Sequence, residues 1–470
     1  MFTKYGWVKH RYVLAERGRN FLKAPWAGGV VLILCVAVAM LLANLPATSD
    51  IYHDLLHMDL SIFYSTGHDA LHRVEGTFPR GMTVEKIIND GLMVIFFFTV
   101  GLEIKREIMH GQLSSPKKAA LPVIAAAGGM LFPALIYTLF NGTTGVAHGW
   151  GIPTATDIAF AIGIMSLLGD RVPISLKVFL TALAIADDLG AILVIAFFYG
   201  EAPNMALLGI AVLIMVAVYY MNRMGEKRMF AYMVPAVVIW VLFYYSGIHA
   251  TISGVAMAML IPSRPRYNKA YFLHKADMIE KSILASTQIE DHEEAEEVYR
   301  YNLRRMKQLS DGSAGMSHRL EYALSPYVTF LIMPVFALAN AGVKIESLEY
   351  FDIFQYSAEW GSVGMGIFFG LLVGKPLGIW LTSLIAVKCG IAERPAGASW
   401  KMLLAVACLG GIGFTMSIFV DSLAFDKQTH AEFIDKGKIA ILMGSACAAL
   451  LGSALIILFS RRGAKKHVDR

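Results

Sequence analysis

The chain has 470 residues, 56% of them hydrophobic and only 16% charged, with a mean hydropathy of +0.56. A water-soluble domain is nearer half apolar and about a quarter charged, so this composition excludes one and makes lipid the solvent. The net charge of +5 does not point to nucleic acid, because the basic residues fall in short connections between apolar runs rather than on one patch.

The first segment, 1–24, is basic and polar, and a full-length apolar run follows it without a small-residue cleavage site, so it is read as a retained N-terminus rather than a signal peptide. Hydropathy then predicts about twelve membrane-spanning helices, each near the roughly 20 residues needed to cross about 30 Å of hydrocarbon. Their centres fall at 25–45, 83–102, 119–140, 152–168, 174–199, 205–221, 229–245, 248–261, 327–341, 361–387, 402–423 and 439–459. The organisation is therefore eight spans in 25–262, a polar insertion at 263–325, four spans in 326–460 and a tail at 461–470. Cys35, Cys389, Cys408 and Cys447 lie in or beside these runs with no paired or metal-ligand spacing and read as packing residues.

Lysine and arginine excess marks cytoplasmic loops. Alternate connections carry Lys105, Arg106, Lys117 and Lys118, then Arg171 and Lys177, then Arg223, Lys227 and Arg228, then the insertion, then Lys388, Arg394 and Lys401. The connections between them, at 141–148, 200–204, 246–247 and 346–359, are neutral or acidic, which places both termini in the cytoplasm. The long outer segment 46–82 is either a solvated loop or, at TFPRGMTVE, a small hairpin. Within the insertion, IEDHEEAEEVYRYNLRRMKQ has the close Glu/Arg spacing of a solvated helix.

Ionisable groups inside a span cost at least a few kcal/mol each and so argue for a polar cavity or ion path. Three places stand out. Asp187 and Asp188 lie in TALAIADDLGAILVIAFF, mid-span, where two adjacent desolvated carboxylates oppose double ionisation, as a proton carrier requires; the alternative is a satisfied structural pair. Asp157 lies in GWGIPTATDIAFAIG, where Pro153 removes a backbone donor and opens the helix. There the hydroxyls of Thr154 and Thr156, freed carbonyls and Asp157 offer hard oxygen ligands for a small cation such as sodium, and Asp157 equally suits the positive end of a helix. Lys375, in FFGLLVGKPLGIW, needs a carboxylate to stay charged, Asp187 or Asp188, either as a structural pair or as a participant in proton transfer.

A second interrupted segment, LGGIGFTMSIF, contains Gly410, Gly411 and Gly413. Two interrupted spans, one in each half of the chain, point to an inverted-repeat transporter with its site where the breaks meet. On the cytoplasmic edge, Glu103, Lys105, Arg106 and Glu107 follow an apolar run, as an ordinary helix end or as a charged vestibule.

In this order GLEIKRE, PVIAAAGGM, PTATDIAFAIG, FLTALAIADDLGAI, SGIHATISGV, PVFALANAGV, GKPLGI and GGIGFTMSIF resemble the NhaA family of bacterial sodium/proton antiporters, over nearly the whole chain from about residue 27 to 459. The resemblance implies an all-α fold of twelve helices, with inverted repeats and two crossed, discontinuous helices, working as a homodimer in the bacterial inner membrane. It implies a secondary, electrogenic, pH-regulated exchange of Na+, and with it Li+, for protons, with no cofactor and no enzymatic step. By motif, Asp188 and Asp187 become the essential carboxylates and metal-ion ligands, Asp188 the principal one; Asp157 and Thr156 sit at the crossing, and Lys375 pairs with Asp187. Glu103, Arg106, Glu107 and Glu321 become pH-response positions. Tyr322 and Ser325 stand where the family pattern has histidines, and His318 where it has a lysine, so a shifted pH dependence is expected; the long insertion after Pro262 also departs from the pattern. The alternatives are a sodium-coupled symporter on the same scaffold, an intramembrane aspartyl hydrolase, or a gated channel.

Overall fold

The computed structural model describes residues 26–60, 62–66, 74–78, 82–200, 203–288, 291–345, 352–356, 361–425 and 431–468. The N-terminal segment 1–24, most of the acidic connection 346–359, part of the connection 200–204 and the side chains of the tail beyond 460 lie outside them.

Among these residues ten helices are long and apolar enough to cross a membrane, one bent pair makes a further span and one shorter apolar helix remains, a segment for each of the twelve predicted. The first are α1 (Ala27–Asn44), then the short helix α2 (Ser49–His57), α3 (Val84–His110), α4 (Pro116–Asn141), α5 (Ile158–Leu167, preceded by a 3-10 turn, Ala147–Thr154) and α6 (Ile174–Phe198). Next come α7 (Met205–Arg223), α8 (Met229–Ser246), the short α9 (Thr251–Leu260), the polar α10 (Lys269–Ser286) and α11 (His292–Ser313), then α12 (Met316–Asn340) and α13 (Val363–Lys388). The bent pair is α14 (Trp400–Gly410) and α15 (Phe414–Ala424), and the last helix is α16 (Ala431–Val468). The connection between α2 and α3 holds the one antiparallel hairpin among the described residues, β1 (Ile62–Thr66) with β2 (Val74–Phe78), Ile62 opposite Phe78. Of TFPRGMTVE, read as solvated loop or small hairpin, Thr77 and Phe78 belong to β2 and pair with residues of β1, while residues 79–81 lie outside the described residues.

The chain divides into two compact units. One comprises residues 1–96, 107–201 and 326–470; the other comprises 97–106 and 202–325.

In the first unit, α4 and α13 pack backbone to backbone. Gly366, Gly374 and Gly378 of α13 face α4, and Gly370, in the same four-residue series, sits against Pro153 with the Pro133 carbonyl beyond: a Cβ at Gly378 would stand 2.2 Å from the Gly128 carbonyl oxygen, and one at Gly374 2.9 Å from Pro133 Cα. Lipid supplies no hydrophobic drive between helices, so close approach through small residues is what holds such pairs. A Cβ at Gly128 would stand 2.3 Å from Thr382 Oγ1 and 2.6 Å from the Gly378 carbonyl. Gly128→Ala is therefore expected to force α4 and α13 apart at a cost of about 1–3 kcal/mol, read as earlier thermal unfolding in detergent; an unchanged transition would contradict this packing. Between Gly370 and Gly374 the helix widens into a π turn, directly before Lys375.

In the second unit, Phe98, Leu102, Val218, Tyr232, Ile239 and Ala258 belong to one buried apolar cluster. The short α9 is closed at its C-terminal end by Lys105, whose Nζ donates to the carbonyls of Met259 (2.6 Å) and Ile261. The expected solvated helix is α11, with Arg300 on Glu296 one turn away (2.9 Å) and Asn302 donating to Ser282 of α10 (2.9 Å).

Candidate ion-binding site at the crossing of two broken helices

The two interruptions meet. Before α5 the chain leaves the 3-10 turn that contains Pro153 and runs extended through Ala155 and Asp157; between α14 and α15 it passes through Gly411–Gly413 with a 48° change of axis. The broken segments hydrogen-bond to each other: Asp157 N donates to the Ile412 carbonyl (2.7 Å), Thr156 Oγ1 to the Gly410 carbonyl (2.9 Å), and Ser417 Oγ to the Ile152 carbonyl (2.8 Å). Backbone groups freed by a break at membrane depth must find partners in protein, and here each break satisfies the other. The crossing also holds the one non-glycine residue with positive φ among the described residues, Phe414 at 28°, a strained conformation. Its N–H donates to Ser445 Oγ of α16 (3.1 Å).

Side-chain groups meet the four helix ends that converge. Asp157 serves two positive N-termini: Oδ1 accepts from Phe160 N in the first turn of α5 (3.0 Å), and Oδ2 accepts from Thr415 N of α15 (3.3 Å) and from the Thr415 hydroxyl. The negative ends, Thr154 O and Gly410 O, receive the Lys375 ammonium and the Thr156 hydroxyl. Both oxygens of Asp157 are thus engaged by the starts of α5 and α15.

Lys375 is fully buried and pairs with Asp187, Nζ to Oδ2 at 2.7 Å, both side chains 0% exposed. The other oxygen of Asp187, Oδ1, meets no hydrogen-bond donor among the described residues. Asp188, next on α6 and also buried, lies within electrostatic reach of the same ammonium. Thus Asp157, Thr156, Asp187, Asp188 and Lys375 all sit in one unit, with Gly410, Gly411, Gly413 and Pro153 at the two breaks.

The residues singled out at the span edge fall on both sides of the division into units. In the second unit Arg106 pairs with Glu321 and lies 3.7 Å from Glu103; Glu321 is buried whereas Arg106 is partly exposed. Glu107, in the first unit, accepts from Gln112 N (2.8 Å) at the end of α3.

Two residues escaped the sequence reading. Thr415, the partner of Asp157, gave no signal beyond its place beside a glycine break. Asp421 carried the same signal as Asp157, an acidic residue in an apolar span, and is wholly buried in α15, so the buried ionisable places in the spans number more than the three expected.

Buried carboxylates and an ammonium at the contact of two interrupted spans define a multi-pass secondary ion carrier of the broken-helix kind. The chain belongs to the Na+/H+ antiporter 1 family, whose profile matches residues 19–456. It is 44% identical over 454 residues to the Na(+)/H(+) antiporter NhaA of Wolinella succinogenes, covering 95% of this chain and 94% of that protein. It is 42% identical to the NhaA of Yersinia pseudotuberculosis (95% and 98% covered) and 41% identical to that of Oleidesulfovibrio alaskensis (94% of each).

Proposed function

We propose that this protein expels Na+, and with it Li+, in exchange for protons, and that Asp188 and Asp187 carry both. The observation that carries the reading is the buried Lys375–Asp187 pair with one Asp187 oxygen open and Asp188 beside it. Two adjacent carboxylates sharing one ammonium leave one negative charge to be neutralised. A proton or a small hard cation does this equally well, and the two compete for the same oxygens. A cation drawn onto Asp187 competes with the ammonium as well, which couples loading to the contact between α13 and the 3-10 turn, because the same Nζ also holds the Thr154 carbonyl.

Asp157 and Thr156 keep the crossing together while the load changes. Glu103, Arg106, Glu107 and Glu321 are the pH-response groups, Tyr322, Ser325 and His318 shift the response, and no cofactor takes part. The protein works as a homodimer in the bacterial inner membrane with both termini in the cytoplasm, as the placement of its lysines and arginines supports. If more protons than sodium ions move per cycle, the membrane potential contributes about 2.3 kcal/mol per net charge per 100 mV.

The test is sodium-driven collapse of an imposed proton gradient in proteoliposomes, followed from neutral to alkaline pH. Sodium and lithium should each dissipate the gradient, with saturation. A flux that needs an organic solute would select the symporter, and an unsaturable conductance the channel.

A further inference from the structure

Asp421 lies on α15 six residues beyond Thr415, about 9 Å along the helix from the crossing. It is 0% exposed, and neither of its carboxylate oxygens meets a hydrogen-bond donor among the described residues. Two tyrosine hydroxyls near it are engaged elsewhere. Tyr137 of α4 and Tyr199 at the end of α6 are within electrostatic reach, yet their hydroxyls donate to the carbonyls of Val146 (2.8 Å) and His148 (2.8 Å). Asp435 and Lys438 of α16 act on it through space, one unfavourably and one favourably, without a hydrogen bond. Gly437 of the same helix lies against it so closely that a Cβ there would stand 2.4 Å from Oδ1 and 3.1 Å from Oδ2. Glycine at 437 thus leaves bare the face that any other residue would fill.

An ionised carboxylate with no donor and no solvent is among the costliest arrangements a protein interior can hold. It is tolerable when neutralised, and no described residue bonds to it to do so. A bound proton or a small cation would neutralise it without a partner side chain.

We propose that Asp421 is a second exchange site, binding a proton or a small monovalent cation, in series along α15 with the Asp187–Asp188 site. This rests on the antiport reading for the identity of the ions and adds a carboxylate to it. Ser417 and Asp421, four residues apart, share one face of α15, and Ser417 donates to the Ile152 carbonyl at the crossing, so that face joins the crossing to Asp421.

The experiment is proton release on addition of NaCl to the full-length protein in detergent, weakly buffered and followed with a pH indicator dye, for the wild type, Asp421→Asn, Asp188→Asn and the double variant. Asp421→Asn is expected to release roughly twofold fewer protons than wild type, Asp188→Asn to keep the Asp421 share, and the double variant to release none. Because Asp421→Asn is nearly isosteric, folding is checked by its elution profile and melting. If it does not fold, Gly437→Ala, which presses a methyl group on the carboxylate, replaces it and should likewise lower release. Release equal to wild type from the folded variant, or none from Asp188→Asn, overturns the second site and leaves antiport intact. No release from wild type overturns both.

Discussion

Asp188→Asn is expected to abolish sodium-dependent proton movement in proteoliposomes while the protein remains inserted and folded. The amide keeps the size and one acceptor oxygen of the carboxylate but can neither lose a proton near neutral pH nor supply the charge that draws a cation out of water. The Lys375–Asp187 pair does not include Asp188, so the packing between α6 and α13 survives the change. Loss of exchange accompanied by normal reconstitution and melting is the predicted result. Exchange at the wild-type rate would sink the carboxylate mechanism, and loss of exchange together with loss of folding would mean that Asp188 is a structural residue.

The second large effect is on stability. Lys375→Ala leaves Asp187 buried without its counter-charge and the Thr154 carbonyl without its donor. Removing one partner of a buried ion pair costs about 3–5 kcal/mol, because the survivor keeps its desolvation penalty. Thermal melting in detergent should show a large loss, and Asp187→Asn placed on top of Lys375→Ala should restore part of it by removing the stranded charge. A double variant less stable than Lys375→Ala alone would show that the pair is held together by something other than charge compensation.

The spans were legible because lipid makes a demand that hydropathy meets residue by residue. Even α9, too short to cross alone, stood out by its apolar run. The breaks were legible as well: Pro153 and the glycines at 410, 411 and 413 mark where a helix cannot continue, and the two interruptions do meet. What the sequence could not disclose was the pairing across them. Asp157 and Thr415 are 258 residues apart, and nothing local to either names the other. Asp421 was passed over for a different reason. It carries no adjacent partner, proline or second charge to make it conspicuous, although its burial is as complete as that of Lys375. The hairpin shows the same limit, since Thr77 and Phe78 of TFPRGMTVE pair with residues 62 and 63, which nothing local to the stretch names.

The wide turn at Gly370–Gly374 has a further meaning for α13. An α-helix advances about 100° per residue, so a stripe repeating every four residues drifts by about 40° at each step and about 120° from Gly366 to Gly378. Such a stripe would wind off any straight partner, yet Gly366, Gly370, Gly374 and Gly378 all keep contact with α4, from Tyr137 and Asn141 at one end to Gly128 at the other. The π turn, by holding an extra residue, takes back most of that drift and works as a phase correction between two ways of counting along one helix. Lys375 is the first residue after the correction, and its reach to Asp187 is set by winding as much as by charge. A change that tightened the turn would rotate the ammonium out of the site without altering any residue in it.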